Sequence, residues 1–258
     1  MAKDAKSAFC EDSRVKFPTL MHLMGMGFKY VSLKGLKTKY VEAPKTEFDP
    51  LTNILTDYFT DAYCTLNPKA EKKDAEDMLV KIQKSLQNDD LGRQFYNEIL
   101  LNTGERIIDL SSPANFYRNN TFQVTTEMTC GSKDSDNYRP DITIFVNGLP
   151  LAFIEVKKEN NHKGIQAETD RMKQRFVNPQ YRRFLNITQI MVFSNDMEYD
   201  NNEVTPTIGA FYATIGKKNT KYNCFREEGQ DSFPTARHIH QVTPEEEEVL
   251  LRDNNVPQ

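Results

Sequence analysis

Apolar residues in the first hundred positions recur at the spacing of amphipathic helices. Proline is favoured in the first turn of a helix, and glycine commonly ends one, so both residues help to set the boundaries. The predicted helices cover residues 17–26, a segment opened by Asp49-Pro50, residues 73–87, and a segment between Asp89 and Gly104. The N-terminal part of the chain is therefore expected to be helical.

Segments rich in β-branched and aromatic residues follow, and these are typical of strands. The predicted strands cover residues 105–110, 121–128, 141–157, 187–194 and 207–215, with one helix over 164–176. This order predicts a mixed α/β (α+β) domain with a helical N-terminal region. After about residue 230 the chain turns polar and then acidic, so we interpret residues 1–230 as the domain and residues 231–258 as a linker.

Residues 141–157 have the pattern of a hairpin, with an Asn-Gly turn signal at 147–148 between two apolar runs. One face of both strands is fully apolar and must face the core. A two-residue turn with regular pairing would put Asp141 and Glu155 on opposite faces of the hairpin. A three-residue loop or a β-bulge would restore a shared face, and the three-residue loop would put Asp141 opposite Phe153 and diagonal to Glu155. We therefore expect one of these two irregularities.

Three charged residues, Asp141, Glu155 and Lys157, share the second face of these otherwise apolar strands. Burying such charges is costly unless they are paired or bind a metal, so a structural ion pair and a metal site are both open. Two carboxylates supply the oxygen ligands that Mg²⁺ prefers, and the backbone carbonyl of Val156 is a further candidate ligand. The metal would activate a water molecule, and the lysine could orient or deprotonate that water, or stabilise the transition state.

Composition narrows the function classes. The net charge is -4, which by itself does not favour a nucleic-acid partner. Between Lys157 and Arg183, however, eight basic residues stand against three acidic ones, which is compatible with either a solvated helix face or DNA contact. The four cysteines form no CxxC pair, which disfavours a zinc ribbon and favours a reducing cytoplasm. No apolar run is long enough for a membrane span, so no membrane partner is expected.

The segment 139–160 resembles the PD-(D/E)xK nuclease motif, with Asp141, Glu155 and Lys157 at its three charged positions. More specifically, it resembles the nuclease domain of the R subunit of type I restriction enzymes, the HsdR N-terminal family. The similarity extends to residues 48–83, 104–129 and 185–196, and in all covers roughly residues 10–230.

This resemblance implies a restriction-endonuclease-like core, a mixed sheet flanked by helices. It implies a Mg²⁺-dependent endonuclease that cuts duplex DNA with little sequence preference of its own. In the family the domain is fused to an ATP-driven translocase and works with methylation and specificity subunits. The site would use Asp141 and Glu155, with the Val156 carbonyl, as metal ligands and Lys157 beside the attacking water. Further candidates are Glu11 as an accessory carboxylate, and Lys163, Lys173 and Arg175 as DNA contacts.

The sequence departs from the family pattern in two ways. The family often carries Gln-x-x-x-Tyr on the helix after the lysine, but Gln174 is followed four residues later by Asn178, so that motif is left unassigned. A phosphate-binding loop of the motor type is also missing, so ATP is expected to act only through a motor domain beyond this segment. Two alternatives remain open: a DNA-binding or docking module that is inactive in isolation, and another PD-(D/E)xK nuclease such as a resolvase or a repair nuclease.

Overall fold

A seven-stranded mixed sheet organises the chain. The computed structural model describes residues 15–35, 48–49, 51–102, 104–130, 138–157, 164–194, 210–215, 220–224 and 240–254. The strands lie in the sheet in their sequence order: β1 (Lys29–Tyr30), β2 (Phe122–Thr126), β3 (Ile142–Val146), β4 (Leu149–Val156), β5 (Ile190–Ser194), β6 (Ala210–Ile215) and β7 (Thr220–Cys224). The β1–β2 and β4–β5 pairs are parallel, and the other pairs are antiparallel.

Helices flank this sheet, which confirms the predicted mixed α/β class. The α-helices are α1 (Phe17–Gly25), α2 (Thr56–Leu66), α3 (Lys72–Ser85), α4 (Pro113–Asn119), α5 (Gly164–Val177), α6 (Arg182–Ile187) and α7 (Pro244–Asp253). A π-helix, Phe95–Leu100, lies where the fourth helix was predicted, and a short 3₁₀ helix, Pro179–Tyr181, links α5 to α6. Strand β7 was not predicted from the sequence.

Two predicted elements are wrong for local reasons. Residues 105–110 form no strand, since Asp109 is held in a loop by Asn120, whose side-chain oxygen accepts from the Asp109 N–H at 2.9 Å. Asp49 does not open α2, which begins at Thr56. The Asp49 carboxylate instead accepts hydrogen bonds from the N–H of Leu51 and the hydroxyl of Thr52, which makes a turn.

Both faces of the hairpin are buried. On the fully apolar face, Ile142, Ile154 and Val156 pack with residues of α1 and α7, as the alternation predicted. On the other face, Phe153 packs against the aromatic and aliphatic side chains of α5 and α6. The turn end of the hairpin enters a third cluster that contains α2, α3 and the π-helix. The charged positions therefore lie at the opposite end of the hairpin, beside a well-packed core.

Helix α7 differs from the linker expected over residues 231–258. Thr243 caps its N-terminus and Glu246 reciprocates, while Leu250 is fully buried in the cluster beside α1. At its other end, the Tyr30 hydroxyl of β1 donates to the Asp253 carboxylate at 2.7 Å. The helix over residues 244–253 thus packs against the core. Of the acidic run that looks like a solvated tail, Glu245, Glu247 and Glu248 are exposed on its outer face and Glu246 is buried.

Candidate active site

The hairpin turn is closed by two residues in the left-handed region. Asn147 and Gly148 have φ values of 52° and 75°, and Val146 pairs with Leu149 across them. This is the Asn-Gly turn that the sequence predicted. A Cβ on Gly148 would lie 2.5 Å from the Leu55 carbonyl oxygen, so the turn sits directly against the start of α2.

A β-bulge then sets the register of the charged residues. Ile144 pairs with Ala152 but Phe145 pairs with Pro150, so Leu151 is an extra residue on β4. The predicted bulge is confirmed. The alternative, a three-residue loop with Asp141 opposite Phe153, is not formed, because Phe153 pairs with Thr143. Continuing this register by one step puts Asp141 directly opposite Glu155, which is closer than the diagonal relation predicted.

Asp141 is fixed at the entrance to β3 by backbone groups. Its Oδ2 accepts a hydrogen bond from the Val156 N–H at 2.8 Å, and its carbonyl accepts from the Glu127 N–H at 3.3 Å, just past β2. Continuing the β3–β4 register by two residues beyond the Ile142–Ile154 pair puts Pro140 opposite Val156. Proline has no N–H, so this position of the ladder cannot supply a donor to the Val156 carbonyl.

Glu155 is buried, with 5% of its surface exposed. The Tyr138 hydroxyl donates to its Oε1 at 2.6 Å. Burial, followed by the negative charges of Asp141 and Glu168, raises the pKa of Glu155 to about 8. Burial likewise raises the pKa of Asp141. Both carboxyl groups therefore resist ionisation. A cation bound between them would favour their charged forms.

Lys157 completes the group and is also buried. Its Nζ lies 3.9 Å from Glu155 Oε2 and 3.3 Å from Glu168 Oε2. Its N–H donates to the Ser194 carbonyl at 2.8 Å, which extends the β4–β5 ladder and fixes the direction of the side chain. The structure therefore brings together all three residues that the sequence singled out.

Glu168 on α5 was not identified as a site residue from the sequence. Only 1% of its side chain is exposed, and Arg175 Nη1 lies 2.8 Å from its Oε1. Arg171 Nη2 lies 3.2 Å from its Oε2. The arginines lie three and seven residues after Glu168, and this helical spacing indicates that the three side chains share one face of α5. It does not indicate that Glu168 faces Lys157.

Two further residues reach the site through tertiary packing. Lys16, 1% exposed, forms an ion pair of 2.7 Å with Glu127, and its positive charge opposes the rise of the Asp141 pKa. Tyr138 is buried against Phe153, and the Arg175 guanidinium stacks 3.9 Å above its ring. Neither residue belongs to a spacing pattern that the sequence could reveal.

The predicted DNA contacts fall into three groups. Lys173 is exposed and pairs with Asp170 at 3.0 Å, so it lies on the solvent face of α5. Arg175 is turned inward, with 20% of its side chain exposed, and takes part in the ion-pair cluster instead. Lys163 lies outside the described residues, as does the accessory candidate Glu11. Gln174 is exposed on α5, so the Gln-x-x-x-Tyr motif stays unassigned.

The site offers few side chains that could coordinate a metal ion. Among the described residues, no group of three or more His, Cys, Asp or Glu side chains is arranged to hold a metal ion. The pair of facing carboxylates with one neighbouring carbonyl is instead the kind of partial shell with which Mg²⁺ keeps several of its waters. Within the same part of the chain, no helix is long and apolar enough to cross a membrane.

Most of the chain is similar to a known protein family. A family model described as the type I restriction enzyme R protein N terminus (HSDR_N) matches residues 9–204. This span contains the hairpin, the bulge and α5, and ends before β6 and α7. A search of curated proteins finds no significant match.

Proposed function

The chain belongs to the family of type I restriction enzyme R protein N termini, and on that premise we propose that it is a Mg²⁺-dependent endonuclease domain acting on duplex DNA. The restriction-endonuclease-like arrangement, a mixed sheet with flanking helices, agrees with that family. The observation that carries the proposal is the register shift at Leu151, which sets Asp141 opposite Glu155 with Lys157 beside them.

Asp141 and Glu155 would hold the metal, with the Val156 carbonyl as a third protein ligand. The raised pKa values of both carboxyls fit such a role, because a divalent cation favours their ionised forms. Pro140, opposite Val156 in the continued register, has no N–H to donate to the Val156 carbonyl. When bound, Mg²⁺ would lower the pKa of a coordinated water and neutralise charge on the phosphate.

Lys157, beside Glu155, would act on the attacking water and the phosphate. Its ammonium can orient the attacking water and stabilise the negative charge that develops on the phosphate. Burial excludes bulk water from the group, and this strengthens its electrostatic interactions. Tyr138 holds the Glu155 carboxylate in one orientation by donating to its Oε1.

The wider setting follows from the family. We place the domain in the cytoplasm, in a complex with methylation and specificity subunits that choose the target, and with ATP used by a separate motor domain. Contacts to the phosphate backbone suffice for DNA binding without sequence preference, and Lys173 on the solvent face of α5 is a candidate. The family match favours this role over a junction resolvase or a repair nuclease.

The test is cleavage of a supercoiled plasmid at low salt with Mg²⁺ and without ATP, comparing wild type with Lys157→Ala. The control is Lys81→Ala, which removes a lysine from an exposed ion pair with Glu105. We expect nicking by wild type and by the control, and loss of nicking in Lys157→Ala. Equal cleavage by all three would refute the site. Metal binding by wild type without cleavage would favour the docking module instead.

A further inference from the structure

The Lys157 ammonium lies closer to Glu168 than to Glu155. Its distance to Glu168 Oε2 is 3.3 Å, whereas its distance to Glu155 Oε2 is 3.9 Å, beyond hydrogen-bond range. Glu168 comes from α5, whereas Glu155 lies in β4 and Lys157 directly follows that strand. The helix therefore supplies the nearer partner of the lysine.

Glu168 is itself held in place from two sides. Arg175 binds its Oε1 at 2.8 Å and is stacked on the ring of Tyr138, which bonds Glu155. Arg171 lies 3.2 Å from its Oε2, the oxygen that also faces Lys157. Among the described residues this oxygen makes ion-pair contacts but no hydrogen bond. A carboxylate that is almost completely buried is thus aimed at the lysine and fixed by an arginine.

This arrangement affects the availability of Glu155 for metal binding. An ammonium in direct contact with Glu155 would neutralise it and compete with a cation for Oε2. With Lys157 drawn toward α5, its ammonium lies 3.9 Å from Glu155 Oε2 and makes no hydrogen bond with it. We propose that Glu168 is a positioning residue that holds Lys157 away from Glu155, so that the carboxylate pair stays open to Mg²⁺. This inference rests on the proposed function, since it assumes the metal site.

The test measures metal affinity and does not depend on cleavage. Binding of Mn²⁺ alone is titrated by calorimetry in wild type, Glu168→Gln, Lys157→Ala and the double variant. We expect Glu168→Gln to weaken Mn²⁺ binding about tenfold to a hundredfold, in the range found for outer-shell partners of metal ligands. In the Lys157→Ala background the same substitution should have little effect, because the competing ammonium is gone.

The double variant separates positioning from simple electrostatics. If Glu168 acted only through its charge on the metal, its loss would weaken binding equally with and without Lys157. Asp170→Asn is the matched control, because it removes an acidic residue and an ion pair from the solvent side of the same helix. It should leave Mn²⁺ affinity unchanged.

Thermal unfolding shows whether each variant is folded. If Glu168→Gln does not fold, Arg175→Gln is measured in its place. It keeps the negative charge beside Lys157 while it releases the bond to Oε1 and the contact with the Tyr138 ring, and a smaller loss of affinity is expected. Unchanged Mn²⁺ affinity in Glu168→Gln, or equal losses in both backgrounds, would overturn the inference and leave the proposed function standing. Absence of Mn²⁺ binding by wild type would overturn both.

Discussion

The substitution Glu155→Gln should stabilise the metal-free protein while removing a metal ligand. Glu155 has its pKa raised from 4.5 to about 8 by burial and by the charges of Asp141 and Glu168. A carboxyl whose pKa is higher in the folded chain binds its proton more tightly there. Its contribution to stability is therefore complete below pH 4.5 and is lost as the pH rises to about 8.

The size of this loss of stability follows from the interval between the two pKa values of Glu155, 4.5 and about 8. Each pH unit within it costs about 1.4 kcal/mol of folding free energy. At pH 7 the cost is about 3 kcal/mol, and above pH 8 it levels off at about 5 kcal/mol. Glutamine has the same shape, carries no charge and can still accept the hydrogen bond from Tyr138. Glu155→Gln should therefore gain little stability at pH 5 and progressively more up to pH 8.

Urea unfolding with a metal chelator present, at pH 5, 7 and 8.5, measures this gain. The control is Glu105→Gln, which removes an exposed glutamate paired with Lys81 and should change stability little. Addition of Mg²⁺ should stabilise wild type and not Glu155→Gln, because binding to the folded state alone raises its stability. An advantage of Glu155→Gln that stayed constant across the three pH values would refute the reasoning.

Three further substitutions test other parts of the structure. Tyr138→Phe removes a hydrogen bond that favours ionised Glu155, so the pH at which Mn²⁺ binding is half-complete should move upward. An unchanged pH profile would contradict the hydrogen bond between Tyr138 and Glu155. Gly148→Ala puts a side chain at φ 75° against the Leu55 carbonyl and should cost about 2–4 kcal/mol in urea unfolding. Leu250→Ala truncates a fully buried residue of α7 and should cost about 3 kcal/mol. A loss below about 0.5 kcal/mol would mean that α7 does not pack as observed.

The local rules of the chain determined much of the site. Alternating apolar residues and the Asn-Gly turn defined the hairpin, because both depend on the period of a strand and on φ preferences of single residues. The need for a three-residue loop or a β-bulge also followed, since regular pairing would have separated Asp141 from Glu155. These features are visible in the sequence because they involve neighbours along the chain.

Other features depend on long-range packing. The bulge at Leu151 determines which residues face each other, and the sequence did not show whether the extra residue would sit in the turn or in β4. The acidic run before Leu250 looks like a solvated tail, yet Val249 and Leu250 directly after it are buried against α1. Local propensity does not distinguish these outcomes, because the decisive contacts join residues far apart in the chain.

The sequence by itself thus determined the hairpin, its turn and the three charged residues on one face. Only the tertiary structure decided that Lys157 has Glu168 as its nearer partner and that Glu155 bonds Tyr138. The physical reason is that a lone buried charge must find a partner, but which partner it finds depends on the docking of α5 against the sheet. The spacing of residues along the chain does not predict how α5 docks.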